Sequence, residues 1–310
     1  VKITPTGLLP QEDTGMVYVS MNTRPGTSMH DNAKAMNTVS KLVASVPGVA
    51  HVAAVNGYSF TSSGSNSAMI FAPLAEWKDR KDPSESVDSI MAVTSLVKDA
   101  DVLVMTPPMV PGFGMSSGLE FNLQDRTGSS TAQFQRVKDA FVDELSRQPE
   151  IGQAFSDFSA SYPQFWLDVD AAKCQRAGVS PSDVLSTIAG YYGGSYISNF
   201  NRFSRLYHVT MQAEAADRVT RQSLNNVYVR LNDGQMAPVN NFVTLTPTMG
   251  PQGLSRFNMF NSISVNADPA PGYSSGQAMD AVARVAKQTL PSGYSYEYSG
   301  LSLEEGKTSN

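Results

Sequence analysis

Two stretches, GMSSG at residues 114–118 and GYSSG at 272–276, carry the G-x-S-x-G spacing of a nucleophile elbow. Such an elbow needs a strand before the serine, a helix directly after it, and an acid and then a histidine later in the chain. The first match runs into the strand-like LEFNL. The second opens a helical pattern, but His30, His51 and His208 all lie upstream of it. Ser274 or Ser275 is therefore read as a helix cap, not a nucleophile. The tail GKTSN fails as a phosphate loop because Leu301 stands where the first glycine belongs. Three dispersed histidines and a single cysteine, Cys174, build neither a thiolate zinc site nor a disulfide within the chain. Asp168 and Asp170 of DVD fall on one face of an expected strand and read as a solvated edge. MTPPMVPGFGM gathers Met105, Met109 and Met115 with Phe113. Thioethers can hold Cu(I), but without a neighbouring Cys or His the apolar reading is preferred, and the prolines make the run a stiff loop at a cleft edge. What remains is VAAVNGYSFTSSGSNSAMIFAPL, which sets Tyr58 and Phe60 among glycines and serines. Either the rings fold back onto a core, or they line a place where an apolar ligand binds.

The elements that must position these residues recur as strand, helix, strand. GMVYVSMNTRP alternates like a strand, SMHDNAKAMNTVSKLVASV places Met36, Val39, Leu42, Val43 and Val46 on one helical face, and GVAHVAAVNG is strand again. The pattern returns as AMIFAPL, SVDSIMAVTSLVKD and DVLVMT, and then as LEFNLQD, TAQFQRVKDAFVDELSRQ and IGQAFSDF. Its last copy is SISVNAD, SGQAMDAVARVAKQTL and YSYEYSG. Hydroxyl residues in GTSMHD, GSSTAQ and GYSSGQ mark helix starts. Units of this kind pair into split βαβ layers with helices on one face, so the expected class is α+β with two α/β sandwich subdomains of ferredoxin-like type. Between the LEFNLQD unit and the SISVNAD unit lies a different α+β region, Tyr162 to roughly Leu245, an insertion that leaves one sandwich and returns to it, with a long hairpin after Gly193 and Gly194 and a second hairpin turning at Asp233 and Gly234.

At 310 residues with 41% hydrophobic content, the chain can fill real cores, and its formal net charge of -5 without any Lys/Arg cluster excludes a nucleic-acid partner. No stretch approaches the roughly 18 apolar residues of a membrane span, and the start has no signal-peptide pattern. Both ends are abrupt, so the chain is expected to be an excised piece of something larger.

GLLPQEDTGMVYV, VNGYSFTSSGSNSAMIFAPLAEW, PQFWLDVDAAKCQRAGVS, GGSYISNF, DGQMAPV and LPSGYSYEYSG occur in this order along nearly the whole chain. Together they resemble the second large periplasmic loop of resistance-nodulation-division efflux pumps of the AcrB/MexB type, the loop between membrane helices seven and eight. The resemblance implies linkers at residues 1–11 and 301–310 and a first porter subdomain at 12–111. It also implies a second porter subdomain from 112–155 and 246–300, with a docking insertion at 156–245. The function implied is non-enzymatic: the drug-binding and docking portion of a proton-driven transporter, whose proton antiport resides in membrane helices outside this chain. Its cargo would be amphiphilic or hydrophobic compounds such as antibiotics, detergents and bile-salt-like molecules. No cofactor and no metal are implied. The intact pump would be a homotrimer in the inner membrane of a Gram-negative bacterium, working with a periplasmic adaptor and an outer-membrane channel. The fragment alone would be a monomer. A copper or silver exporter and a free-standing periplasmic binding or scaffold protein are the alternatives.

By the same resemblance, Tyr18, Ala53, Val55, Tyr58, Phe60 and Phe71 belong to an inner, distal drug pocket, and Leu103 and Met105 to an outer, proximal one. Gly57, Ser59, Thr61, Ser63 and Gly64 belong to a flexible switch loop between the two. Ser195, Tyr196, Asn199, Phe200, Asn201 and Arg202 belong to the docking hairpin. The sequence departs from the family pattern at Ala53, where a phenylalanine is usual, and at Ser63, where a basic residue is common. Leu103 and Met105 replace aromatics, so the pocket is expected to be roomier and less aromatic than the family type. Tyr18 stands where the metal-exporting branch would carry a methionine.

Overall fold

The computed structural model describes residues 12–60, 62–80, 83–110, 114 and 117–308. Thr61, Phe113, Met115 and the expected linker 1–11 lie outside the described residues. The chain divides into two compact units, Val1–Pro163 with Met249–Asn310, and Gln164–Thr248.

The first sheet is formed by β1 (Met16–Thr23), β2 (Ala53–Tyr58), β3 (Ser63–Pro73) and β4 (Ala100–Met105), with α1 (Met29–Ala44) and α2 (Pro83–Thr94) as its crossovers. The order β2-β3-β1-β4 with antiparallel neighbours is the split βαβ arrangement expected from the repeat. Alternation along β1 drives Val17, Val19 and Met21 to full burial against Met36, Val39 and Val43 of α1 and Ile90 of α2. Each such side chain contributes about 1.5–3 kcal/mol by leaving water. Ser28 caps α1 by accepting from the Asp31 amide. The sequence pattern starts the second helix at Ser86, yet it begins at Pro83, where a proline forfeits no helical hydrogen bond.

The second sheet begins with β5 (Leu119–Asp125), α3 (Thr131–Leu145) and β6 (Ile151–Phe155). The chain then builds the Gln164–Thr248 unit before returning. Its elements are β7 (Tyr162–Val169), α4 (Ala171–Ala177), α5 (Pro181–Gly193), β8 (Ser195–Arg202), β9 (Arg205–Met211), β10 (Tyr228–Arg230), β11 (Met236–Pro238) and β12 (Val243–Gly250). β7 pairs with β12 and β10 with β11, and a small core of Cys174, Val184, Val229, Val239 and Phe242 lies beneath them. β8 and β9 form the long hairpin, whose two-residue turn Phe203–Ser204 takes positive φ at both positions, 52° and 58°. Asp170 departs from expectation. Its carboxylate caps α4 by accepting from the Lys173 amide at 2.9 Å, so the helix start claims it instead of a strand edge.

On return, β13 (Ser255–Phe257), β14 (Phe260–Pro269), α6 (Ser275–Thr289) and β15 (Tyr294–Tyr298) complete the second sheet, with α7 (Gly300–Thr308) behind them. β15, β5, β14 and β6 repeat the topology of the first sheet, and β13 adds a short edge beside β14. Phe121, Leu123, Phe141, Leu145, Val265 and Val282 form its core. Ser130 and Ser274 cap α3 and α6, the latter in a reciprocal capping box with Gln277. Residues 301–310, expected as a linker, are helical as far as Thr308. The Ser302 hydroxyl accepts from the Glu120 amide at 3.0 Å, and Ser275 donates to Glu305, which ties the segment down. No helix among the described residues is long and apolar enough to cross a membrane.

Candidate functional site

The period-two alternation that buries Val17, Val19 and Met21 turns Tyr18, Ser20 and Asn22 to the opposite, helix-free face of the first sheet. Cross-strand register then assembles that face row by row. Ala53 pairs with Phe71, Phe71 with Tyr18, and Tyr18 with Met105. In the next row Val55 pairs with Met69, Met69 with Ser20, and Ser20 with Leu103. A third brings Ser67, Asn22 and Asp101 side by side. Thus Tyr18, Ala53, Val55, Phe71, Leu103 and Met105, far apart in the sequence, share one surface.

The connection from β2 to β3 folds onto this surface. Phe60 packs edge-on against Tyr18 with ring centroids 5.2 Å apart and against Phe71 at 6.0 Å. Tyr18 and Phe71 stand 5.5 Å apart, and Tyr58 meets Phe60 at 6.3 Å. These distances suit T-shaped pairs, in which a ring edge meets a ring face. Yet Tyr58 remains 44% exposed and Phe60 37%, so the cluster is packed on one side and accessible on the other.

The expected switch loop is mostly strand. Gly57 belongs to β2 and Ser63 and Gly64 to β3, with Tyr58 paired to Ser63, because backbone pairing makes no demand for apolar side chains. Gly57 makes the bulge in this ladder at φ +87°, and a Cβ there would stand 2.7 Å from the Met29 Cε. Hydrogen bonds close the tip: the Ser59 amide donates to the Ser62 carbonyl at 2.7 Å, and the Ser62 and Ser67 hydroxyls meet at 2.8 Å. Asn56 anchors its base by donating to the Met29 carbonyl at 2.9 Å.

Beside the cluster opens a cleft of about 900 Å³. Tyr58, Ser59, Phe60, Ser63 and Leu103 line it from the first sheet, and Phe155, Asp157, Phe158, Ser264 and Asn266 from the second. Tyr18 and Phe71 stand behind Phe60, outside the lining, and Ala53 and Val55 lie on the shared face away from it. Met105 is buried, 3% exposed. The residues expected at two separate pockets thus share one sheet face, and Leu103 shares its cleft with Tyr58 and Phe60. Sequence reasoning missed Phe155, Asp157 and Phe158. Phe155 ends β6 and the other two follow it in AFSDFSA, where the only signal was a carboxylate flanked by two phenylalanines. Burial pushes the Asp157 carboxyl up to about 6, against the attraction of Lys138 and with added repulsion from Asp101.

Ser195, Tyr196, Asn199, Phe200, Asn201 and Arg202 all lie on β8 in the other unit. Phe200 stacks on Tyr207 at 5.2 Å, Asn199 meets the His208 Nδ1 at 2.6 Å, and the Arg202 guanidinium lies 4.8 Å from the Phe203 ring centre. Along β8 every residue after Ser195 is exposed, so these pairs stiffen a ribbon with no core of its own.

The sequence profile of the AcrB/AcrD/AcrF family matches residues 1–310. The chain is 30% identical over 310 residues to the solvent-resistant pump membrane transporter SrpB of Pseudomonas putida, covering 98% of this chain and 30% of that protein. It is 30% identical to the toluene efflux pump membrane transporter TtgB of Pseudomonas putida, over 97% of this chain and 29% of that one. It is 28% identical to the multidrug export protein AcrF of Escherichia coli, over 99% and 30% of the two chains. The chain therefore spans about 30% of the length of the curated relatives it matches.

Proposed function

The chain belongs to the AcrB/AcrD/AcrF family, and from that premise we propose that it is the periplasmic substrate-binding and docking portion of a resistance-nodulation-division efflux transporter for hydrophobic and amphiphilic compounds. The observation that carries this reading is the half-exposed cluster of Tyr18, Tyr58, Phe60 and Phe71 at the edge of a 900 Å³ cleft. Rings supply apolar area and stacking without fixed hydrogen-bond geometry, which suits cargo of varied shape. Relatives named for solvents, toluene and multiple drugs favour organic cargo over copper or silver.

Residues 12–111 would serve as the first porter subdomain, 112–155 with 246–300 as the second, and 156–245 as the docking insertion. In the assembled pump, a homotrimer with an adaptor and an outer-membrane channel, the β8–β9 ribbon would reach a partner with its exposed rings. The connection at Ser59–Ser62 would act as the switch, with ligand shifting its arrangements only through differential affinity. Proton coupling would reside in membrane helices flanking this portion.

The test is a fluorescence titration of the 310-residue chain with N-phenyl-1-naphthylamine, a neutral amphiphile that brightens in apolar surroundings. Tyr58→Ala with Phe60→Ala should weaken binding by about tenfold or more, since each ring carries a contact on the order of 1 kcal/mol beyond its buried area. Unchanged binding in a folded double variant would refute the cleft assignment.

A further inference from the structure

The polar lining of the cleft has a sign. Its ionisable acids are Asp101 on β4 and Asp157 after β6, and no Lys, Arg or His is among its described lining residues. Lys138 on α3, which is not among the lining residues, is 7% exposed, pairs with Asp139 and donates to the Phe158 carbonyl at 3.3 Å, and it offsets only part of the effect of burial on Asp157.

A second, independent feature concerns oxygens without a protein partner. Ser20, Asn66 and Asn266 line the cleft and are only 2%, 6% and 2% exposed, yet Ser20 Oγ, Asn66 Oδ1 and Asn266 Oδ1 make no hydrogen bond among the described residues. The Oδ2 of Asp157 is likewise buried and unpartnered. The orientation of Asn66 is fixed, because its Nδ2 donates to the Thr23 carbonyl at 3.0 Å. Buried polar atoms are nearly always paired, so these unpaired acceptors leave the cleft wall short of positive partners and add to its negative sign. The rings of Tyr58, Phe60 and Phe158 are among the lining, and aromatic rings add attraction for a cation stripped of part of its water.

We propose that this cleft selects amphiphiles bearing a cationic, hydrogen-bond-donating head, a protonated amine or an amino-substituted aromatic cation, over anionic ones of the same skeleton. The inference rests on the reading of the cleft as the substrate site and narrows it: bile-salt-like anions, included in the family expectation, become poor ligands. The ring cluster holds the apolar body, and Asp157 with Asp101 holds the head.

Two dyes on one xanthene skeleton test it, rhodamine 123 as an amino-bearing cation and fluorescein as an anion, titrated at pH 7.5 beside the neutral N-phenyl-1-naphthylamine. Rhodamine 123 should bind at least about tenfold more tightly than fluorescein, the scale of one hydrogen bond to a charged group. Asp157→Asn should bring that ratio toward parity. Asp101→Asn, at an exposed strand position, serves the same purpose should the first variant fail to fold. Rhodamine 123 keeps its charge between pH 5 and 7.5, so its affinity should fall as the pH is lowered over that interval and Asp157 takes up a proton. Lys138 from α3 and Asp101 from β4 are the charged groups acting on Asp157 there. Equal binding of the two dyes with the neutral probe still bound, or a ratio untouched by both substitutions, overturns the charge preference and leaves the cleft standing. Failure of all three probes to bind overturns both readings.

Discussion

The carboxyl of Asp157 makes a claim about stability that can be worked through. Its folded-state pKa of about 6 lies above the ordinary carboxyl value of 3.8, chiefly because burial penalises the charged form. The folded chain therefore holds this proton more tightly than the unfolded chain does. Relative stabilisation is fully present below pH about 4 and is lost as the pH rises through about 6. A pKa difference of about two corresponds to about 3 kcal/mol at neutral pH. Asn has nearly the same shape and never ionises, but its amide brings donors that also need partners. Asp157→Asn should therefore stabilise the protein by about 1–2 kcal/mol at pH 7.5, or roughly 2–8 °C in the melting temperature of the unit that carries it, and at pH 4, where the gain is absent and the amide's unmet donors remain, it should destabilise by about 1–2 kcal/mol. The assay is thermal unfolding of both proteins by circular dichroism across pH 4–8. Asp268, also pushed up to about 6 by burial, gives both proteins a slope in the same window, so the difference between the curves carries the result. Parallel curves from pH 4 to 8 would refute the argument that Asp157 is a costly buried charge. A gain at neutral pH would mean the native carboxylate is kept at the expense of stability, as expected of a group retained for binding.

Two further outcomes test the frame that holds the site. Phe121→Ala removes a fully buried ring packed edge-on against Phe141 at 6.0 Å and Tyr296 at 5.9 Å, and should cost about 3–5 kcal/mol in urea unfolding. Gly57→Ala places a Cβ against Met29 at a backbone angle few side chains adopt, and should cost about 1–3 kcal/mol. Because the bulge aims Tyr58 and Phe60, that variant should also bind N-phenyl-1-naphthylamine more weakly, which an equilibrium titration of the folded protein reads.

How much of this the sequence reveals differs from residue to residue. The alternation of Val17, Val19 and Met21 reads directly as a strand, and once β1 has a buried face Tyr18 must lie on the other. The helix caps at Ser28, Ser130 and Ser274 follow from local chemistry alone. Ser63 and Gly64 read as loop because small polar residues carry no apolar period, whereas their strand is made by backbone pairing. Helix α7 was hidden for the opposite reason. Leu301 and Leu303 sit two apart, a strand-like spacing, while the residues it buries are the polar Ser302 and Glu305, held by hydrogen bonds instead of an apolar stripe. Asp157 was beyond reach, since its character comes from a cleft wall completed by strands distant in sequence, and nothing local announces burial of a carboxylate in a loop.

The two sheets, alike in topology, differ in how they can come into being. The first has all four of its strands once residues 16–105 have left the ribosome, and among the described residues no strand further along the chain pairs with it. The second cannot close then: β5 pairs only with β14 and β15, which arrive after the whole Gln164–Thr248 unit. Until that moment β5 and the apolar face of α3 are exposed, the condition in which a nascent chain aggregates or recruits chaperones. The stem formed by β7 and β12 shortens the wait. When those strands pair, the excursion between them ceases to count as open loop, and since closure entropy grows only by about 0.6 kcal/mol per doubling of length, the remaining closure is a small step. The inserted unit is thus also a clasp, since the pairing of β7 with β12 brings its two ends together and shortens the closure by which the wall that bears Asp157 forms.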